Sequence, residues 1–310
     1  MPYEQCIEGC FAGAIGKNGL DRADYDSVLA RTADALADLR SRHDDGSLPL
    51  LNLPAERDDL DSLAPIVKRY GETFSQVVVL GTGGSSLGAK TLYGLAGDAF
   101  GVAPPYDPKA PRLHFMDNID PHSFTHLLQA LDLARTGFLV VSKSGSTPET
   151  LTQFLTCFEA VLRDVGEKKA TAHFTLIAEP GSNPLRGLGK ALGMEILDHD
   201  PQLGGRFSVL SLVGVLPAMM AGVDAVSLRQ GAATVLDPIL EGARPEDCPP
   251  AVGAALAVAL AQTRGVSMTV LMPYLDRLDS FALWFRQLWA ESLGKGGQGT
   301  TPIKALGAVD

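Results

Sequence analysis

Five short apolar runs, separated by stretches of helical character, lie between residues 71 and 200. The runs cover residues 77–80, 113–116, 138–142, 174–178 and 195–197. Runs of this length suit strands that are buried on both faces, and the intervening segments can return the chain as helices. The pattern predicts βαβ units, and therefore an α/β fold with a parallel sheet flanked by helices.

Helical segments precede this region, and a second α/β pattern follows it. Residues 21–40 and 60–70 carry apolar side chains at helical spacing, so residues 1–70 are predicted to be a helical extension. The segments expected after residue 204 are a buried helix at 207–223, an Ala-rich helix at 251–262, a strand at 267–272, a helix from 280 and a loop at 294–302. We therefore expect one strand after residue 200, as in the opening of a second α/β unit.

Composition places the chain among packed proteins and disfavours nucleic acid as a partner. Hydrophobic residues make up 45% of the 310 residues, charged residues make up 20%, and the net charge is −10. This balance excludes a disordered tail, and the negative charge opposes binding of a polyanion. A small phosphate is still a possible ligand, because a few directed N–H groups outweigh distant, screened charge.

Neither the cysteines nor the apolar stretches predict a secreted or membrane protein. The four cysteines, at positions 6, 10, 157 and 248, are too few and too scattered for a disulfide scaffold, which favours a reducing cytosol. The N-terminus lacks the basic region of a signal peptide. The longest apolar stretch, 207–223, is interrupted by Pro217 and is interpreted as a buried helix. We expect a cytoplasmic protein without membrane association.

A glycine-rich loop follows the first apolar run. In residues 81–88 (GTGGSSLG), the glycines let the backbone approach an anion closely, and the next helix directs N–H groups at it. A dinucleotide fingerprint would need Gly at Ser86, and a P-loop would need Lys directly after Gly88, so neither motif fits. The alternative interpretation is a tight turn without a ligand.

A second polar loop follows the third apolar run. Residues 142–147 (SKSGST) supply four hydroxyls and one ammonium, and Pro148 and Glu149 suit the first turn of a following helix. These donors suit a phosphate monoester. The alternative is a Ser/Thr helix cap beside a solvated Lys. Both loops lie at carboxyl ends of strands, where open α/β folds bind ligands, so together they favour a ligand site.

The helix from Ser280 carries a further candidate group. Its apolar stripe consists of Phe281, Trp284, Phe285, Leu288 and Trp289. Glu291 lies at the edge of this stripe, with Gln287 one turn before it. A carboxylate beside Trp284 would be partly desolvated and a better proton acceptor, whereas the alternative is a solvated flank residue. The six histidines show no evident partner spacing and are interpreted as structural or exposed.

Four segments in this order resemble the glucose-6-phosphate isomerase family. They are 81–88, 142–147, 203–208 (LGGRFS) and 289–295 (WAESLGK), of which the last two are the most specific. The resemblance covers most of residues 70–310. It implies sugar-isomerase (SIS) type α/β domains, the first complete at 71–200 and the second partial at 201–310.

The resemblance also implies an activity and the residues for it. The family interconverts glucose 6-phosphate and fructose 6-phosphate in glycolysis and gluconeogenesis, as a cytosolic homodimer. Glu291 matches its base, which moves a proton between C1 and C2 of the opened sugar through a cis-enediol(ate), and Arg206 matches the arginine that stabilises the developing negative oxygen. The substrate-binding residues implied are Gly84, Ser85, Ser142, Lys143, Ser144, Gly145, Ser146, Thr147 and Gln287. No metal or organic cofactor is implied.

The sequence departs from the family pattern at its C-terminal end. The family opens the sugar ring with a His that follows a segment like 301–307, and it carries a Lys near the end of a longer chain. Neither follows here before Asp310. We interpret the chain as a fragment cut within its second domain, and expect it to keep the phosphate site but to isomerise poorly. The alternative function is a non-catalytic SIS protein that binds sugar phosphates.

Overall fold

The computed structural model describes residues 4–97 and 109–309, which divide into two units. The first unit comprises the described parts of Met1–Glu56, Ser227–Leu271 and Trp289–Lys304, and the second comprises those of Arg57–Val226, Met272–Leu288 and Ala305–Asp310. Both units are discontinuous in sequence, whereas the predicted segments 1–70, 71–200 and 201–310 are consecutive. The assignment of SIS domains to 71–200 and 201–310 stays a prediction.

Helices and strands alternate through most of the described chain. The helices are α1 (Ala12–Ile15), α2 (Arg22–Asp44), α3 (Asp58–Thr73), α4 (Leu87–Leu95), α5 (Pro121–Ala130), α6 (Pro148–Val165), α7 (Glu167–Ala170), α8 (Pro184–Leu192), α9 (Leu212–Met220), α10 (Ala225–Leu240), α11 (Pro249–Arg264) and α12 (Asp279–Leu293). The strands are β1 (Gln76–Leu80), β2 (Arg112–Met116), β3 (Thr136–Val141), β4 (Phe174–Ala178), β5 (Glu195–Asp198), β6 (Met268–Leu271) and β7 (Thr301–Lys304). Among the helices so described, none combines the length and the apolar character needed to cross a membrane.

A five-stranded parallel sheet forms the centre of the second unit. Its order is β2-β1-β3-β4-β5, and Val78 of β1 lies opposite His114 of β2 and Phe138 of β3. Every residue of β3 and β4 is buried, as expected for apolar runs covered on both faces. The predicted α/β fold with a parallel sheet flanked by helices is confirmed, with a strand at each of the five predicted runs.

Aromatic side chains fill the core on one face of this sheet. Phe138 and Phe174 stack with ring centroids 4.8 Å apart, and Phe154 of α6 meets Phe174 edge to face at 5.5 Å. Phe158 makes a second edge contact with Phe174 at 5.6 Å. Phe174 therefore lies at the centre of the cluster that holds α6 against the sheet.

Helix α3 is tied to the sheet by a buried hydroxyl. The Tyr70 side chain is fully buried, and its hydroxyl lies 3.1 Å from the carbonyl oxygen of Phe138 and 2.9 Å from Oγ1 of Thr175. Burial raises the pKa of Tyr70 above its usual value, so the phenol stays neutral and can donate. The contact fixes α3 across β3 and β4 while leaving the phenol oxygen hydrogen-bonded.

The first unit is built around the packing of α2 against α11. Its apolar cluster joins Phe11, Leu20, Tyr25 and Val28 to one face of α11. Arg264, at the end of α11, donates to Gly19 O at 2.8 Å and to Asp21 at 2.9 Å. The same unit contains a two-stranded parallel sheet, β6-β7.

For the region after residue 200, one expectation is wrong and a second has the wrong bounds. Residues 300–302 were expected in a loop, but Thr301–Lys304 form β7, which pairs with β6. Its Pro302 and glycine-rich approach hide the strand from a propensity pattern. The buried helix expected at 207–223 is confirmed only over α9, because Gly205–Leu210 form a 3₁₀ turn before it. Ser211 separates the two, because its hydroxyl accepts from the amide of Val213 and caps α9.

Replacing Phe174 with Ala should lower the free energy of unfolding by about 3–5 kcal/mol, because the cavity left behind has no side chain to fill it. Leu155→Ala is the matched control, since Leu155 lies on the same helix as Phe154 but is 49% exposed. It should change stability by less than about 0.5 kcal/mol. Urea unfolding of both variants provides the measurement, and equal effects would contradict the assigned core.

Candidate functional site

The loop after β1 turns directly into α4. Gly83–Ser85 form one 3₁₀ turn, and Ser86 occupies the position before the first residue of α4. A Cβ on Gly81 would lie only 2.9 Å from the carbonyl oxygen of Val141, the last residue of β3. The loops that follow β1 and β3 therefore start side by side at one edge of the sheet.

The motif around Arg206 packs on this first loop. A Cβ on Gly84 would lie 2.3 Å from the carbonyl carbon of Gly205 and 2.5 Å from the amide nitrogen of Arg206, so the two backbones touch. The Ser208 hydroxyl lies 2.6 Å from Gly205 O and 3.3 Å from Gly84 O, and it bridges the two segments. Any residue larger than glycine at position 84 would push them apart.

Helix α12 supplies two side chains that contact the Arg206 motif and the loop after β1. The indole Nε1 of Trp284 donates to the backbone oxygen of Arg206 at 2.9 Å. The amide of Gln287 lies so close to the first loop that a Cβ on Gly83 would be 2.9 Å from its Nε2. The Arg206 guanidinium carbon is 4.5 Å from the centre of the Phe207 ring. The structure thus brings Gly84, Arg206 and Gln287 together.

The loop after β3 is a tight turn that leads into α6. Its turn is closed by the Gly145 amide, which donates to Ser142 O at 3.0 Å, and Gly145 has a φ of +61°. The Ser142 hydroxyl donates to Thr147 Oγ1 at 3.0 Å, while Ser144 and Ser146 pair their hydroxyls at 3.0 Å.

The position of this turn is fixed by its neighbour Asn183. A Cβ on Gly145 would lie 1.9 Å from Oδ1 of Asn183, the residue that caps α8 through the amide of Arg186. Pro148 then begins the 18-residue helix α6, with Glu149 in its first turn. The hydroxyls of the turn therefore gather at the positive end of a long helix, which suits an anion.

Lys143 links this second loop to the Arg206 motif. Its ammonium donates to Pro201 O at 2.7 Å and to Leu203 O at 3.0 Å, and Leu203 begins the segment that contains Arg206. The sequence assigned Lys143 to the ligand and gave no sign of these carbonyl partners. The two bonds hold the ammonium in place beside the turn at 142–147.

His199 lies buried next to this link. Its Nδ1 is 2.8 Å from the carbonyl oxygen of Asp200. Burial and the nearby positive charge of Lys143 lower the pKa of His199, while the Asp200 hydrogen bond and the charges of Asp200 and Glu179 oppose the shift. The imidazole is therefore neutral in the folded protein over a wider pH range than in the unfolded chain.

Glu291 is exposed, which agrees with the alternative of a solvated flank residue and not with a carboxylate desolvated beside Trp284. The apolar stripe of α12 is half-buried, and only Ala282 of this helix is fully buried. The residues of α12 up to Leu288 belong to the second unit and those from Trp289 onward to the first. Glu291 as the base therefore stays a prediction.

Sequence reasoning missed the contacts that fix the site. It placed Trp284 in an apolar stripe, whereas its N–H holds the backbone of Arg206. The residue type could have indicated this contact, because a partly buried indole N–H needs a hydrogen-bond acceptor. Ser208 is the last residue of the motif at 203–208, but its role in bridging two segments follows only from the fold.

The strand order reverses between β1 and β3, which makes this the candidate place for a ligand. In a doubly wound sheet of order 2-1-3-4-5, ligands bind at the carboxyl ends of β1 and β3, where the order reverses. Both polar loops lie at those ends. The fold defines an open α/β protein, and the two loops form its candidate ligand site.

Comparisons with known proteins identify the family. The model of the phosphoglucose isomerase family matches residues 66–304. The glucose-6-phosphate isomerase of Rubrobacter xylanophilus is 37% identical over 262 residues, which cover 84% of this chain and 60% of the relative. That of Carboxydothermus hydrogenoformans is 34% identical over 306 residues, covering 96% and 65%. The chain therefore belongs to the phosphoglucose isomerase family, as its four motifs indicated.

Solved structures agree with this assignment. A hypothetical protein from Thermus thermophilus superposes with a TM-score of 0.75 at 32% identity, covering 92% of this chain and 67% of the other. A glucose-6-phosphate isomerase from Chlamydia trachomatis superposes with a TM-score of 0.68 at 27% identity, covering 79% and 47%. The chain spans 60% and 65% of the lengths of the two sequence relatives named above.

Replacing Gly84 with Ala should lower the free energy of unfolding by about 1–3 kcal/mol, because the added Cβ overlaps the backbone of Gly205. The control is Gly187→Ala in α8, where a Cβ meets nothing within 4 Å. This change should stabilise the chain by about 0.4–1 kcal/mol. Urea unfolding measures both, and a neutral Gly84→Ala variant would contradict the close approach.

Acidification should weaken the fold through His199. Because its folded pKa lies below the unfolded value of 6.5, the unfolded chain takes up the proton first, and stability falls as the pH drops below about 6.5. His199→Gln should lose less stability than the wild type between pH 7.5 and 5.5. The exposed His122→Gln variant should keep the wild-type loss, and equal pH profiles for all three proteins would exclude this role for His199.

Proposed function

We propose that this chain provides the sugar-phosphate site of a glucose-6-phosphate isomerase, which interconverts glucose 6-phosphate and fructose 6-phosphate. The observation that carries the proposal is the pair of polar loops at the reversal of strand order, in a member of the phosphoglucose isomerase family. The relatives from Rubrobacter xylanophilus and Carboxydothermus hydrogenoformans are both named glucose-6-phosphate isomerase.

The loop after β3 is proposed to hold the phosphate. Its donors are the Ser144, Ser146 and Thr147 hydroxyls, the amide groups around Gly145 and the free N–H groups that begin α6. The Ser142 hydroxyl orients the Thr147 hydroxyl, because it donates a hydrogen bond to Thr147 Oγ1 at 3.0 Å. Lys143 adds a fixed positive charge beside the turn. A phosphate monoester accepts several such hydrogen bonds at once, which favours it over a neutral sugar.

The loop after β1 is proposed to contact the sugar. Gly84 and Ser85 line the turn that packs on the Arg206 motif, and Gln287 reaches the same turn from α12. Arg206 would stabilise the negative oxygen that develops when a carbonyl becomes an enediolate, because its positive guanidinium would lie beside that oxygen. Its backbone is held by Trp284, so the guanidinium starts from a fixed position.

Glu291 is proposed as the base. It would remove a proton from C1 of the open-chain ketose, leaving a cis-enediol(ate), and return a proton to C2 to give the aldose. No electron is gained or lost overall, so one carboxylate and one cation suffice without a redox cofactor. A cytosolic homodimer is proposed on the family resemblance alone.

Replacing Glu291 with Gln should spare fructose 6-phosphate binding and lower the incorporation of solvent deuterium at C1 or C2 by about 100-fold or more, since the proton acceptor is lost. Deuterium incorporation is followed by NMR in D₂O, and binding by calorimetry. Glu241→Gln, an exposed change in the same unit, is the control and should leave both unchanged.

The wild-type result separates the isomerase from the alternative function. Fructose 6-phosphate opens in water by itself, so the exchange assay does not require the protein to open the ring. Binding without any deuterium incorporation by the wild type would indicate a non-catalytic sugar-phosphate-binding protein. Exchange that persists in Glu291→Gln would show that another group is the base.

A further inference from the structure

Two histidine rings lie next to each other on the surface of α5. His122 and His126 lie four residues apart, so they share one face of the helix. Their ring centroids are 4.3 Å apart with an angle of 55° between the planes, and both residues are exposed. The sequence alone indicated no shared role for the histidines, although a spacing of four residues places these two on one face of a helix.

The remaining histidines are engaged differently. Each has a ring nitrogen near an oxygen of the protein: His43 near Asp44 at 3.4 Å, His114 near Gln76 at 2.7 Å, His173 near Thr136 at 2.8 Å and His199 near Asp200 at 2.8 Å. His122 and His126 instead meet ring to ring. This arrangement presents two neighbouring imidazoles to solvent.

The helix beneath the pair is firmly fixed. Phe124, between the two histidines in sequence, is buried in the sheet core together with part-buried Leu127 and Leu128. At the start of α5, the Asp120 carboxylate accepts from the amides of His122 at 3.3 Å and Ser123 at 3.2 Å. The backbone that carries both rings is therefore ordered before any ligand binds, which lowers the entropic cost of chelation.

We propose that His122 and His126 form a surface chelate for a divalent transition-metal ion, with one imidazole nitrogen from each ring. Imidazole favours Cu²⁺, Ni²⁺ and Zn²⁺, and affinity at such a site follows the order that places Cu²⁺ highest. Mg²⁺ and Ca²⁺ prefer oxygen ligands and are excluded from this pair.

The chelate is open and exchangeable. Among the described residues, no group of three or more His, Cys, Asp and Glu side chains is arranged to hold a metal ion. Water therefore completes the coordination, unlike a closed structural zinc site with four protein ligands. The site is independent of the proposed isomerase chemistry, which uses neither histidine. Its occupation would stabilise the folded chain, because the paired geometry exists only in the helix.

Calorimetric titration of the untagged, metal-free protein with NiCl₂ tests the proposal. The wild type should bind one ion, and His122→Ala or His126→Ala should each weaken binding by about 100-fold, because loss of either ring removes the chelate effect. Ni²⁺ should also raise the melting temperature of the wild type but not of either variant. His43→Ala serves as the control and should bind as the wild type does.

Two results would overturn the proposal. One is unchanged Ni²⁺ affinity in both His122→Ala and His126→Ala. The other is binding that disappears in Cys6→Ser while persisting in His126→Ala, since Cys6 is an exposed thiol that also binds soft ions. MgCl₂ titrated into the wild type should give no binding, and a response equal to that of NiCl₂ would contradict coordination by imidazole.

Discussion

The contact between the Gly84 backbone and the peptide that joins Gly205 to Arg206 holds the candidate site together. A side chain at position 84 would overlap that peptide at 2.3 Å, so the contact exists only because the residue is glycine. Ser208 bridges the two segments, and Trp284 fixes the backbone of Arg206 from α12. One close approach thus brings a loop, a 3₁₀ turn and a helix to the same edge of the sheet.

Strand order explains why this end of the sheet is the candidate ligand site. Because β1 lies between β2 and β3, the helices that follow β1 and β3 depart to opposite faces and leave a crevice between their first turns. The second loop is fixed independently, by the packing of Gly145 on Asn183 and by the bonds from Lys143 to Pro201 and Leu203. Contacts within the protein therefore hold both loops in place, which is the preorganisation that the proposed phosphate site requires.

The sequence revealed what depends on local pattern and missed what depends on packing. Strands β1 to β5 could be predicted because each is a continuous apolar run, and the positions of the two polar loops because glycine and hydroxyl residues follow such runs. Strand β7 was not predicted, because Pro302 interrupts the pattern of β-forming residues. The carbonyl partners of Lys143 and the ring contact between His122 and His126 depend on backbone positions that residue types alone do not specify. The exposure of Glu291 is one of the two alternatives that the helical pattern left open.

A crystal structure of the chain with bound fructose 6-phosphate would show directly whether the loops after β1 and β3 bind the sugar phosphate. The account predicts the phosphate within hydrogen-bond distance of the Ser144 and Thr147 hydroxyls and of the first N–H groups of α6, with the sugar directed toward Gly84 and Arg206. A phosphate bound elsewhere on the molecule, or a sugar that points away from the Gly84 turn, would contradict it.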